Sequence, residues 1–172
     1  MTMQRRNLLV GIASSPLSVS TWAKLLPDVL GTRPRPPDDR AAARFERAQE
    51  FARGLDRHIG GDVRDFLYYA GIVTQLGLTA YLFDRGLDDD WCRDRIGLDV
   101  AKALAFANHL GLGCDCRNVG ELAALISPYG KWRRPFGTDL PDVNIIRPTT
   151  AVSDVGRLLD LVEHRIGFGE TR

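Results

Sequence analysis

Three thiols and an imidazole stand where a metal or a redox pair could be assembled: Cys92, His109, Cys114 and Cys116. Thiolate and imidazole together form a donor set for tetrahedral zinc. The spacing departs from the common zinc modules, which leave two residues between paired cysteines, because only Asp115 separates Cys114 from Cys116. Cys92 is set apart by the helical pattern that carries it. The apolar positions Trp91, Ile96, Val100, Ala103, Leu104, Ala107 and Leu110 predict one helix over 88–110. About twenty residues at roughly 1.5 Å each put its ends about 30 Å apart. Disulfide partners need Cα atoms within about 7 Å. An unbroken helix therefore keeps Cys92 from a bridge or a shared metal, and only a break at Gly97 would reunite it with the others. What remains is His109, Cys114 and Cys116 as a candidate metal or thiol-redox cluster.

A second constellation is the basic aromatic stretch of Tyr129, Lys131, Trp132, Arg133, Arg134 and Phe136. Arginine mixed with tryptophan and tyrosine is the composition of protein-binding hot spots. The same mixture can stack bases and neutralise phosphates or meet anionic headgroups. It also suits a loop whose aromatics fold onto the core while its cations stay in water. As a binding loop, a protein partner ranks first and an anionic ligand or nucleic acid second. With 23 basic and 22 acidic residues the net charge is only +1, which removes any global electrostatic case for nucleic acid.

Other candidates resolve into capping. Asp88, Asp89 and Asp90 precede a helical pattern, where carboxylates meet free amides and the positive end of the dipole. Consecutive side chains diverge, whereas hard cations need several convergent oxygens. His58 and His164 both fall in last turns of predicted helices, a placement the dipole favours; His58 could also act as a base paired to Asp62. The chain has no phosphate-cradling glycine motif, no serine elbow and no paired-histidine zinc helix.

These residues hang on one organising element. Phe66 to Phe83 is charge-free and bounded by Asp65 and Asp84. Such a run just reaches across a bilayer, but Tyr68, Tyr69, Tyr81, two threonines, two glycines and Gln75 dilute it. It suits the central helix of a soluble bundle; a membrane span at 66–83, in a small membrane-complex subunit, is an alternative. We read an all-α, single-domain bundle of about five helices, near 39–59, 62–84, 88–110, 118–127 and 150–166, around that helix. Gly60-Gly61 should end the first and Asp62 cap the second. Gly86 should stop the second, and Ala70, Thr74 and Gly77 should admit a close neighbour. Asn118 with Glu121 reads as an N-cap and its partner. The last helix has its stripe at Val152, Val155, Leu158, Leu159, Val162 and Ile166. One short extended segment is expected over 143–146.

The first 23 residues have the secretory layout of a positive start, an apolar run from Leu8 to Val19, and small residues at Thr21 and Ala23. Arg5-Arg6 followed by Asn7, Leu8 and Leu9 resembles a twin-arginine export signal, with Gln4 and Leu8 departing from the usual residues. The resemblance implies a bacterial protein carried folded into the periplasm. A retained N-terminus in the cytoplasm is the alternative. Residues 24–38, with four prolines, read as a linker or strap, and 39–172 as the helical domain. The functional expectation is a non-enzymatic, exported interaction module that needs no cofactor, with the His109/Cys114/Cys116 cluster as the competing centre.

Overall fold

In the computed structural model the described residues are 39–133 and 146–166. The leader, the strap, Arg134, Phe136 and nearly all of the expected extended segment lie outside them. Among the described residues there are six α-helices: α1 (Asp39–Ala52), α2 (Val63–Asp84), α3 (Asp89–Arg95), α4 (Val100–His109), α5 (Arg117–Ile126) and α6 (Pro148–Ile166). Two 3-10 turns, Leu55–His58 and Tyr129–Arg133, join them, and no strand occurs among the described residues.

The charge-free helix is the centre, as its composition predicts. Asp62 caps α2 by accepting from the Arg64 amide at 2.8 Å. At the other end Gly86, with φ +93°, lets the Leu87 amide reach the Leu82 carbonyl at 3.0 Å and its own amide reach Phe83 at 2.8 Å. That pair of bonds is the helix-closing arrangement that glycine permits. Between these ends α2 packs against α1, α4, α5, α6 and both 3-10 turns. Phe66, Leu67, Leu78, Tyr81 and Leu82 are fully buried, each such side chain contributing about 1.5–3 kcal/mol. Three of its buried hydroxyls donate to backbone carbonyls. Thr74 Oγ1 donates to the Ala70 carbonyl (2.7 Å), Thr79 Oγ1 to the Gln75 carbonyl (2.8 Å) and the Tyr81 hydroxyl to the Leu110 carbonyl (2.8 Å). Gly77 gives α6 its close approach, because a Cβ there would lie 2.6 Å from Leu159 Cδ2.

Three boundaries depart from expectation. The first helix stops at Ala52; after Gly54 the chain tightens into the 3-10 turn, which keeps Leu55 in the core but leaves Ile59 exposed. The predicted helix over 88–110 is two helices. Gly97 adopts φ +60°, the amides of Ile96 and Gly97 both turn back to the Cys92 carbonyl, and Asp99 restarts the chain as α4 by capping the Lys102 amide at 3.0 Å. The Gln75 carboxamide donates to the Gly97 carbonyl at 2.9 Å, so the central helix itself holds this break. Finally, α5 begins one turn's fraction early, with Cys116 rather than Asn118 at the cap position and no side-chain cap bond. Asn108 decides this: it grips the Cys114 backbone at both its amide (2.8 Å) and its carbonyl (3.1 Å), which fixes where the connection ends.

Candidate functional site

The start of α2 presents consecutive tyrosines, Tyr68 and Tyr69, both half-buried. The 3-10 turn before α2 ends on His58, whose ring stacks on Tyr69 with centroids 4.0 Å apart and planes at 21°. Tyr69 meets Tyr68 edge-on at 5.8 Å, and Tyr68 meets Tyr129 at 5.8 Å. Such ring pairs are favourable in both geometries. Arg133 closes the series, its guanidinium 4.9 Å from the Tyr68 ring centroid and Nη1 3.4 Å from the Tyr68 hydroxyl. Three separate elements thus build one strip: His58, Tyr69, Tyr68, Tyr129 and Arg133. At its His58 end the strip borders a hollow of about 220 Å³ lined by Glu50, Phe51, Gly54, His58 and Tyr69. Arg133 is exposed and makes no ion pair among the described residues.

Gly71 is what seats Tyr129. A Cβ at position 71 would stand 2.3 Å from Tyr129 Cβ and 2.6 Å from Cγ, so the helix surface is hollowed at that point to receive the ring. The backbone around it is tied to the α3–α4 connection, with the Tyr129 amide donating to Leu98 (3.2 Å) and the Ala101 amide to Ser127 Oγ (2.7 Å). Burial, and secondarily Tyr68, push the Tyr129 phenol above its usual range, so it is neutral and available as a donor.

The six residues of the basic aromatic stretch therefore separate. Tyr129 and Arg133 join the strip. Lys131 is half-buried, donates to the Ser127 carbonyl and sits 5.0 Å from the Trp132 ring; loss of water lowers its pKa, with Asp99 opposing. Trp132 is 3% exposed and donates from Nε1 to the Ile126 carbonyl at 3.2 Å. It faces the core and offers no surface, which corrects its assignment to a partner contact. Arg134 and Phe136 fall outside the described residues.

The thiols form neither a disulfide nor a three-ligand metal cluster among the described residues. Cys92, Cys114 and Cys116 are all free. Burial first, then Asp89, pushes the Cys92 thiol up to about 12. Burial also raises Cys114, and an interaction with the Cys116 backbone only partly opposes it. A protonated, buried thiol is a poor nucleophile and a poor redox group. His109 is exposed as the last residue of α4. Among the described residues no three His, Cys, Asp or Glu side chains are placed to hold a metal, despite the break at Gly97. The aspartate run splits as capping predicts: Asp88 accepts from the Trp91 amide (2.7 Å), Asp89 pairs with Arg44 (2.7 Å) and Asp90 with Arg93 (2.9 Å). Asp62 caps α2 and is not the partner of His58. His164 lies exposed near the end of α6.

α2 is the one described helix long and apolar enough to cross a membrane, and 72% of its most apolar eighteen-residue window is buried among its neighbours. Sequence reasoning missed the His58–Tyr69–Tyr68 part of the strip because both tyrosines were counted into an apolar run. Their adjacency at the start of a capped helix, just after a histidine turn, was the available signal. Compared with known families, characterised proteins and solved structures, the chain matches none.

Proposed function

We propose that this protein is a non-enzymatic helical interaction module whose strip of His58, Tyr69, Tyr68, Tyr129 and Arg133 docks a segment of another protein. The observation that carries this reading is the strip's continuity. Four half-buried rings from three elements lie in successive contact, stacked, edge-to-face and tilted in turn, and an exposed cation terminates them. Rigid aromatic surface with an arginine beside it contributes contact area at small entropic cost, the usual make-up of a binding anchor. Arg133 lacks a carboxylate partner among the described residues, which favours an acidic group in the docked segment, placed beside apolar side chains that cover the rings. Export to the periplasm belongs to the same proposal and rests on the Arg5-Arg6 leader; intact mass of protein from fractionated cells tests it.

The docking test is photo-crosslinking. A benzoyl-phenylalanine at position 68 should capture a discrete protein, the same residue at Arg117 on α5 should not, and Arg133→Ala should abolish the capture while far-UV circular dichroism is unchanged. Equal capture at both positions, or capture that survives Arg133→Ala, refutes the strip as the docking surface.

A further inference from the structure

Asp154 lies in the core-facing stripe of α6, three residues after Ala151 and four before Leu158, and its side chain is 5% exposed. Its Oδ1 has no hydrogen-bond partner. The nearest cation, Arg157, holds Nη1 at 3.7 Å, beyond hydrogen-bond reach, and is itself largely in water. A carboxylate withdrawn from water without donors is costly, and such groups are normally paired.

Asp154 lines a cavity of about 300 Å³ between α5 and α6. Leu122, Leu125, Ile146 and Ala151 supply apolar wall, and Glu121 and Arg147 are the other charged residues that line it. Glu121 is already engaged by Arg117 at 2.7 Å, and Arg147 is exposed. The carboxylate lining the cavity without a hydrogen-bond donor on Oδ1 is therefore that of Asp154, whose one ion-pair contact is the long one to Arg157. A metal ion is a poor match, since hard cations take six or more oxygens and no three ligating side chains converge among the described residues. What complements one buried carboxylate set in aliphatic wall is a positively charged N–H donor on a compact apolar body. The volume is at the lower end of small-molecule sites.

We propose that the α5–α6 cavity binds a compact organic ammonium group, with Asp154 accepting from its nitrogen and Leu122, Leu125 and Ile146 packing its hydrocarbon. The ammonium can belong to a free amine or to a lysine side chain of another protein. This site is independent of the aromatic strip.

The experiment titrates full-length protein with cyclohexylammonium, cyclohexanol and cyclohexanecarboxylate, followed by amide chemical shifts. The ammonium should bind saturably, with shifts gathered on 118–125 and 146–158. The alcohol should bind at least about tenfold more weakly, the loss expected when a charge-assisted bond is removed, and the carboxylate not at all. Asp154→Asn should abolish the preference for ammonium over alcohol. Leu125→Trp, placed at a half-exposed wall position, should block binding by filling the cavity, and it keeps the test decisive if Asp154→Asn does not fold. An acetylated, amidated Gly-Lys-Gly peptide added as a fourth ligand separates the sources: tight binding assigns the site to a protein lysine, and binding of the amine alone assigns it to a free metabolite-like amine. Equal binding of ammonium and alcohol, no binding of the ammonium at tens of millimolar, or affinity unchanged by Leu125→Trp would overturn the proposal.

Discussion

Among the described residues four glycines lie inside α-helices, and adding one methyl group to each should have effects of opposite sign. Gly120 in α5 and Gly156 in α6 have nothing within 4 Å of where a Cβ would sit. Alanine there should stabilise by about 0.5–1 kcal/mol, through the unfolded chain's lost freedom and better helix propensity. At Gly77 the methyl would meet only the end of the flexible Leu159 side chain at 2.6 Å, so the propensity gain and the cost of a shifted rotamer roughly cancel. Gly71 is different in kind. Its methyl would meet Tyr129 Cβ at 2.3 Å, an atom fixed to backbone that is itself bonded to Leu98. Overpacking of that sort costs about 1–3 kcal/mol, and after the propensity gain Gly71→Ala should be about 1–2 kcal/mol less stable than wild type. Urea unfolding followed by circular dichroism measures all four. With roughly 2–4 °C per kcal/mol for a domain this size, thermal midpoints of Gly71→Ala and Gly120→Ala should differ in sign. A Gly71→Ala midpoint equal to or above that of Gly120→Ala would refute the seating of Tyr129 against α2, and with it the geometry of the strip.

Two further outcomes are expected. Trp132→Ala should destabilise by about 3–5 kcal/mol, because it empties a core position and orphans the Ile126 carbonyl; a fully folded variant with unchanged urea midpoint would show that Trp132 is a surface residue after all. The Cys92 thiol, pushed up from 9.0 to about 12 in the folded state, makes the folded chain hold a proton that the unfolded chain has released. Its contribution is fully present below about pH 9 and is lost as pH rises from there through about 12. Urea midpoints should therefore fall more steeply above pH 9 in wild type than in Cys92→Ala, and identical alkaline profiles would refute a buried, protonated Cys92.

Where sequence and structure agree, the signal was a residue whose backbone chemistry admits few alternatives. Asp62 and Asp88 sit where a free amide needs an acceptor, and both cap. Gly86 sits where a helix must reverse. The break at Gly97 was written in the same alphabet, a glycine followed two residues later by an aspartate, but the apolar spacing from Ile96 to Val100 runs on through it and masks it. Period alone cannot tell a continuous helix from two helices that share a buried face. The decisive term was tertiary, the Gln75 carboxamide donating to the Gly97 carbonyl. Asn118 failed for the converse reason. Its own capping chemistry was sound, but Asn108 had already fixed the preceding loop from outside the window in which a cap is read.

The same distinction explains why the candidate sites were only partly visible. Arg133 and Tyr129 announced themselves by composition, yet composition could not say that Trp132 between them turns inward to bond Ile126. Their partners Tyr68 and His58 are about sixty residues earlier and are brought alongside only because Gly71 lets the later segment lie against α2. Asp154 was readable in principle, since it falls on the i, i+3, i+4, i+7 register of Ala151, Val155 and Leu158. An ionisable residue in an otherwise apolar register is the one deviation that periodicity exposes directly, because the core rarely accepts such a group without a partner. A tyrosine in a charge-free helix is no deviation at all. The central helix thus concealed its candidate site residues by the very composition that identified it as the core.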